Sequence, residues 1–307
     1  MSGFDPRYGE PFVVAPGLVR LTAENPGPFT GAGTNTYILG HDRLMICDPG
    51  PANEAHIDAL VGAVAGRPVS HILITHTHRD HVDGLPLLRR HIDAPTVAEG
   101  RHREARPLKK GETNPFLYAA DMEFRPDEVA ADGAVIDNGD TRVRAISTPG
   151  HTANHLAFEF GDDLLSGDHV MGWSTTVIAP PDGAMSAYLA SLDKLLAFDH
   201  ARYFPGHGDL VREPRKAVAA MKSHRLMRER AILERLHAGD RAISEIVERL
   251  YEGIDPRLSG AAALSVLSHL EKLEEEGLAR TDSFGRDAVW EPAAAADVAG
   301  GPQLFLE

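Results

Sequence analysis

Between about residue 10 and residue 210, short apolar runs alternate with helix-like segments. The runs FVVA, NTYILG, RLMICD and HILIT have the length and residue types of strands, and HILIT is apolar enough to be fully buried. EAHIDALVGAV and GLPLLRRHI have the spacing of short helices, whereas RVRAIS and HLAFEF alternate as half-buried strands do. Short strands mixed with helices predict an α/β fold in which sheets and helices form a layered sandwich.

The pattern becomes helical in the last third of the chain. Residues 214–238 predict one helix, and the i, i+3, i+4, i+7 spacing that starts at Ile243 predicts a second. The same spacing from Ala263 to Leu273 predicts a third helix, which Gly277 is placed to end. The next residues, LARTDSFGRDAVWEP, have the pattern of strand, turn and strand. Helices followed by a hairpin resemble a winged-helix domain.

These two patterns divide the chain. We predict a large domain over residues 1–222, a small winged-helix-like helical domain over residues 223–291 and a tail over residues 292–307. The tail, rich in alanine and glycine, is expected to be loosely ordered.

The composition limits the possible partners. The chain has 45 acidic and 31 basic residues, and its formal net charge of −14 argues against non-specific binding of nucleic acid. The single cysteine, Cys47, cannot form an internal disulfide and is expected to be a buried strand residue. The N-terminus lacks the features of a signal peptide, and no run of about 18 apolar residues suggests a membrane span. We therefore expect a soluble, cytoplasmic protein with no membrane partner.

Metal-binding residue types cluster directly after the run HILIT. In the segment HTHRDH, three histidines and an aspartate lie within six residues, which a packed core could accommodate only if all were paired. Other such residues follow later predicted strands and have Gly or Pro beside them: His151 in STPGHTANH, Asp168 in LLSGDHV and His207 in YFPGHGD. Neutral imidazoles combined with carboxylates suit zinc, with iron or manganese as alternatives. The sequence therefore predicts a metal site built from strand ends.

These motifs, in this order over residues 10–210, resemble those of the metallo-β-lactamase superfamily. The resemblance implies an αββα sandwich as the catalytic domain, with two zinc ions at one edge. The implied ligands are His76, His78 and His151 for the first ion, Asp80, His81 and His207 for the second, and Asp168 as a bridge between them. A metal-bridging hydroxide would then be the nucleophile, with Asp80 and Asp168 as the catalytic carboxylates.

Two further residues are expected to support the ligands. By resemblance, Asp48 accepts a hydrogen bond from a ligand histidine, the alternative being a plain turn residue. His155 is either a similar support or a residue that faces the substrate. The remaining histidines that we considered are expected to be surface or core residues, namely His71, His91, His102, His200, His224, His237 and His269.

Three functions are compatible with such a site. We favour hydrolysis of a small ester, thioester or lactone substrate. The segment after Asp168 and the winged-helix-like end resemble the β-lactamase-like protein 2 group, which implies a single-stranded RNA endonuclease as the alternative. The third possibility is a non-catalytic, metal-dependent binding module. The third predicted helix carries Glu271, Glu274, Glu275 and Glu276 against Lys272, so it is unsuited to DNA and is expected to serve packing or a homodimer.

Candidate substrate contacts lie in two regions. The basic run RHREARPLKK, which contains Arg101 and Arg103, is either a solvated loop or a clamp for an anionic substrate such as RNA. It continues into the loop 104–126, a predicted lid that contains Phe116 and Tyr118. After Asp168, Trp173 and Tyr188 are expected on a wall that faces the substrate.

Overall fold

Two β-sheets form the centre of the molecule in the computed structural model, which describes residues 4–293. The first sheet has its seven strands in chain order: β1 Phe12–Ala15, β2 Leu18–Thr22, β3 Asn35–Leu39, β4 Leu44–Cys47, β5 Val69–Leu73, β6 Thr96–Ala98 and β7 Glu128–Val129. Neighbouring strands are antiparallel from β1 to β4 and parallel from β4 to β7. Parallel neighbours need a crossover, and helix α1 (Glu54–Val64) supplies the one between β4 and β5.

The second sheet has five strands in the order β12-β11-β10-β9-β8. They are β8 Val135–Asp137, β9 Arg142–Ser147, β10 Leu156–Phe160, β11 Asp163–Gly167 and β12 Arg202–Pro205. All pairs are antiparallel except β11 and β12, which are parallel and are connected through helix α4 (Met185–Leu196).

Apolar side chains fill three layers. Tyr37 and Leu73 of the first sheet pack with Phe158 and Phe204 of the second in the layer between the sheets. Helix α1 and two short helices, α2 (Arg79–Val82) and α3 (Leu85–Leu88), cover the outer face of the first sheet. Helix α4 and the long helix α5 (Pro214–His237) cover the second. The predicted αββα sandwich is thereby confirmed, and Cys47 is a buried residue of its core.

A small C-terminal domain follows the sandwich. It contains α6 (Ile243–Leu250), α7 (Ser259–Glu275) and the antiparallel pair of β13 (Ala279–Arg280) with β14 (Glu291–Pro292). Trp290, Leu270 and Ile246 pack with the end of α5 in a separate core. Gly277 has the left-handed φ of 71° that the end of α7 requires, as its position predicted.

The boundary between the domains lies on a shared helix. Helix α5 passes through the predicted boundary at 222/223 and packs against both α4 and α7. Most of the predicted tail, from residue 294 onward, lies outside the described residues. None of the helices in residues 4–293 combines the length and apolar content that a bilayer span requires.

Candidate metal centre and substrate cavity

Three imidazoles converge where the strands of the sandwich end. His76 and His78 follow β5, and His151 follows β9. His78 Nδ1 lies 3.0 Å from His76 Nε2 and 3.0 Å from His151 Nε2. Burial, together with the neighbouring imidazoles, lowers the pKa of His76 and lowers that of His78 to about 3, while burial also lowers the pKa of His151. Neutral rings whose lone pairs converge are suited to hold a cation.

The next group combines two imidazoles with a carboxylate. Asp80 Oδ2 lies 3.4 Å from His81 Nε2 and 3.3 Å from His207 Nε2. Burial lowers the pKa of His207, but the carboxylates of Asp168 and Asp80 outweigh it and raise that pKa to about 10. The field that retains a proton on His207 also attracts a metal cation.

Asp168 lies between these two groups. Its Oδ2 is 3.2 Å from His207 Nε2 and 3.7 Å from His151 Nε2, while its Oδ1 is 3.4 Å from His81 Nε2. The ligand atoms of His76, His81 and Asp168 lie within 4.8 Å of one another, as do those of the other two groups. Asp168 Oδ1 is buried and has no hydrogen-bond partner among the described residues. A buried acceptor surrounded by imidazole nitrogens fits a metal ligand, so the seven predicted residues fit a two-metal site.

Hydrogen bonds fix the orientation of the imidazoles. The Nδ1–H groups of His151 and His207 donate to the carbonyl oxygens of Val177 and Gly33, at 2.7 and 3.1 Å. Because each ring donates through Nδ1, its Nε2 is the nitrogen that faces the centre, where a metal ion would replace the proton that His207 retains. Sequence reasoning did not identify these backbone acceptors, since a carbonyl leaves no residue-type signal.

Asp48 occupies the supporting position that the resemblance implied. It accepts hydrogen bonds from Thr75 N–H at 2.8 Å, from Thr75 Oγ1 at 2.7 Å and from His81 Nδ1–H at 2.9 Å. Its backbone has a left-handed φ of 53°, which Asp and Asn tolerate better than most residues. Asp48 therefore links the end of β4 to His81.

Asp48→Asn is expected to weaken zinc binding by about 10- to 100-fold, the usual cost of losing such a support. The amide keeps the shape and tolerates the same φ, but it has one acceptor oxygen fewer for Thr75 and His81. Competition with a chromophoric chelator measures the affinity. The exposed Asp93→Asn is the matched control, and equal zinc affinities of the two variants would contradict this role.

His155 contacts the backbone of Asp168, as a supporting residue would, and is closed off from solvent. It is fully buried, its Nε2 accepts the backbone N–H of Asp168 at 3.1 Å, and its Nδ1–H donates to Thr148 Oγ1 at 2.8 Å. His102, which was expected to be a surface or core residue, is buried beside the ligand histidines. Its Nδ1 lies 2.9 Å from Oγ1 of Thr77, the residue between His76 and His78 in the sequence. Its Nε2 lies 3.2 Å from Asp182 Oδ2.

A cavity of about 380 Å³ opens above the converging residues. Its floor contains His78, Asp80, His151, Asp168 and His207. Its walls are mainly apolar and include Phe29, Phe116, Tyr118, Met171, Val177 and Leu264. Tyr118, a candidate substrate contact from the sequence, therefore lines the cavity. It lies in the loop that was predicted to be a lid. Leu264 comes from α7, and sequence reasoning did not identify it.

Other predicted substrate contacts lie elsewhere. Tyr188 on α4 is fully buried in the core beneath the second sheet, so its prediction as a substrate contact was wrong. Trp173 is 40% exposed and packs beside Gly31 and Gly208, outside the lining of the cavity.

The basic run 101–110 does not form a clamp at the cavity. Arg103 makes a bidentate ion pair with Glu99, and the exposed Arg101 is also outside the cavity lining. Arg106 pairs with Glu112 and with Glu271 on α7, at 2.7 and 2.6 Å. The run is therefore neither a free solvated loop nor an anion clamp, because its charges are used in part to attach the loop to the C-terminal domain.

Comparison with known proteins agrees with the fold and with the motifs. The metallo-beta-lactamase superfamily model matches residues 29–207, and the beta-lactamase associated winged helix domain model matches residues 242–290. A beta-lactamase-like protein 2 homolog from Drosophila melanogaster is 32% identical over 91% of this chain and 95% of its own length. An atrochrysone carboxyl ACP thioesterase from Paecilomyces divaricatus is 32% identical, over 64% of this chain and 57% of its own.

A solved structure shows the same fold over nearly the whole chain. A beta-lactamase domain protein from Burkholderia ambifaria superposes with a TM-score of 0.75 at 21% identity, and the match covers 95% of this chain and 96% of that one. At this identity the likeness concerns the fold alone, and it spans the residues that both family models match. The chain belongs to the metallo-beta-lactamase superfamily, whose members are generally hydrolases, and it carries the associated winged helix domain at its C-terminal end.

Proposed function

We propose that this chain is a two-metal hydrolase, with zinc as its main metal, that cleaves a small ester, thioester or lactone with an apolar acyl group. The observation that carries the proposal is the placement of the His/Asp cluster on the floor of a mainly apolar cavity. Polar groups that converge at one end of an apolar pocket typically hold the reacting bond there, while the rest of the substrate lies against the walls.

Each residue of the centre has a distinct task in this proposal. His76, His78 and His151 would hold one ion, Asp80, His81 and His207 the other, and Asp168 would contact both. When bound, two such ions supply water activation near neutral pH and polarisation of the substrate's carbonyl oxygen. Asp80 lines the cavity, and its Oδ2 accepts a hydrogen bond from Thr34 Oγ1 at 2.9 Å. The carboxylate of Asp80 is thereby oriented to accept a proton from the attacking water.

The charges around the cavity favour an apolar substrate over RNA. Within the described lining, Arg79 is the one Lys or Arg side chain, and it is engaged with Tyr118 O at 2.9 Å and with Asp83. Recognition of single-stranded nucleic acid uses a cationic groove along the backbone. The ion pairs of Arg103 and Arg106 with glutamates remove part of the positive charge that RNA would need. The similarity to a protein named as a thioesterase supports the same substrate class.

A substrate panel tests the proposal against its two alternatives. We expect the zinc-loaded protein to hydrolyse apolar acyl thioesters and aryl esters at least about tenfold better in kcat/KM than β-lactams or short single-stranded RNAs. Ester turnover should change little with salt, whereas RNA binding would weaken with a slope of about 0.7 per phosphate contact. His76→Ala is the metal-deficient control.

Two outcomes would contradict the proposal. Efficient, salt-sensitive RNA cleavage that requires His76, without ester hydrolysis, would establish the endonuclease instead. Zinc binding without turnover of any substrate would indicate a non-catalytic binding module.

A further inference from the structure

One wall of the cavity is supplied by the C-terminal domain. Helix α7 packs Val266, Leu267 and Leu270 into the core of its own domain. Leu264 is half-buried, is not part of that core among the described residues, and lines the cavity above the metal centre. The apolar side chain of Leu264 therefore lies in the cavity wall and not in the core of its own domain.

Ion pairs attach another part of the cavity wall to the same helix. The loop between β6 and β7 carries Phe116 and Tyr118 into the cavity. Arg106 of this loop makes two hydrogen bonds with Glu271 of α7, at 2.6 and 2.9 Å, and Lys109 Nζ lies 2.9 Å from Glu274 Oε2. The side chains of Arg106 and Glu271 are only 19% and 11% exposed, so water screens this pair less than it screens a surface pair.

A third contact joins the two domains beside the metal centre. Arg225 on α5 is buried, donates to the carbonyl oxygen of Thr176 and lies within 3.4 Å of Ser265 on α7. Thr176 lines the cavity, and its Oγ1 is 3.1 Å from His151 Nδ1. The loop that carries Phe116 and Tyr118 is therefore positioned against α7. The loop that carries Thr176 is positioned against α5, the helix that packs beside α7.

We propose that the C-terminal domain determines the size of the apolar acyl group that the cavity accepts, with Leu264 as the residue that limits it. This inference rests on the proposed ester or thioester hydrolysis, and it assigns the winged-helix domain a role in substrate selection. Leu264 contacts the acyl group directly, whereas Arg106 and Glu271 act as positioning residues for Phe116 and Tyr118.

The first test compares chain-length preference across variants at one position. A series of straight-chain 4-nitrophenyl esters, from acetyl to decanoyl, is hydrolysed by the zinc-loaded wild type, Leu264→Ala and Leu264→Phe. We expect the ratio of kcat/KM for octanoyl to that for acetyl to rise in Leu264→Ala and to fall in Leu264→Phe, by roughly fourfold for each methylene that is gained or excluded. Leu226→Ala and Leu226→Phe, at an exposed leucine on α5 outside the lining, should leave the ratio unchanged.

The second test measures binding without hydrolysis. N-phenyl-1-naphthylamine is uncharged and fluoresces in apolar pockets, so its affinity reports on the walls of the cavity. We expect Leu264→Phe to weaken its binding by about tenfold and Leu226→Phe to leave it unchanged. Melting temperatures confirm that all four variants fold.

The two tests separate this inference from the proposed function. Probe binding that follows Leu264, in a protein that hydrolyses no ester, would refute the hydrolysis while supporting Leu264 as a wall of the cavity. Leu264 variants that match the Leu226 variants in both ester preference and probe affinity would overturn the inference.

Discussion

Replacing Asp168 with alanine is expected to lower the bound zinc to less than one ion per chain and to reduce kcat/KM by about a thousandfold or more. Asp168 is the residue of the centre whose carboxylate faces both groups of imidazoles, since its Oδ2 lies 3.7 Å from His151 Nε2 in the first group and 3.2 Å from His207 Nε2 in the second. Its loss removes the one carboxylate that the proposed ligand set shares between the two metal positions. Metal analysis of the purified variant and ester hydrolysis by the same sample measure the two effects.

The control for this variant is Asp162→Ala, an exposed aspartate in the turn before β11. It removes the same charge a few residues away and should retain full metal content and activity. Asp168→Asn keeps the volume of the side chain and should resemble Asp168→Ala, because charge is the property that matters. An Asp168→Ala protein that retained two zinc ions and wild-type activity would refute the assigned ligand set.

Gly206→Ala is expected to have the second largest effect, although Gly206 offers no side chain to the site. A Cβ at this position would lie 2.4 Å from Asp168 Oδ1 and 2.7 Å from His81 Cε1, closer than real contacts allow. Two proposed ligands must therefore move. We expect kcat/KM to fall by more than about a hundredfold, and overpacking to lower the free energy of unfolding by about 1–3 kcal/mol. Zinc affinity, ester kinetics and chemical denaturation provide the measurements.

Gly62→Ala in α1 is the matched control, since a Cβ there meets no atom within 4 Å. It should leave the activity unchanged and stabilise the fold slightly, by about 0.5–1 kcal/mol, because alanine favours the helix. Wild-type zinc affinity in Gly206→Ala would show that the centre has more room than the structure indicates.

The convergence of the metal centre could be predicted because its signals are local. Each predicted ligand follows an apolar strand and has a glycine, a proline or another metal-binding residue nearby, as in YFPGHGD around His207. Strand ends meet at one edge of the sandwich, so residues more than a hundred positions apart, such as His81 and His207, come within 3.4 Å of each other. Their role as ligands remains a prediction that the metal measurements test.

The walls of the cavity could not be predicted, because their positions depend on tertiary packing. Tyr188 lies on the amphipathic helix α4, and its sequence does not show which sheet that helix covers. The pairing of Arg106 with Glu271 joins residues 165 positions apart across two domains. The sequence alone showed a basic run and an acidic helix. Neither interpretation of the basic run, as a solvated loop or as an anion clamp, included a pairing with that helix. Leu264 was not identified because apolar residues on a helix usually belong to its own core.

Zinc titration of the metal-free protein tests the central claim most directly. Protein stripped with a chelator is supplied with increasing zinc, while bound metal and ester hydrolysis are measured on the same samples. We predict negligible hydrolysis without metal and activity that rises to a plateau at about two ions per chain. Full hydrolysis by the metal-free protein would contradict the proposed two-metal hydrolase.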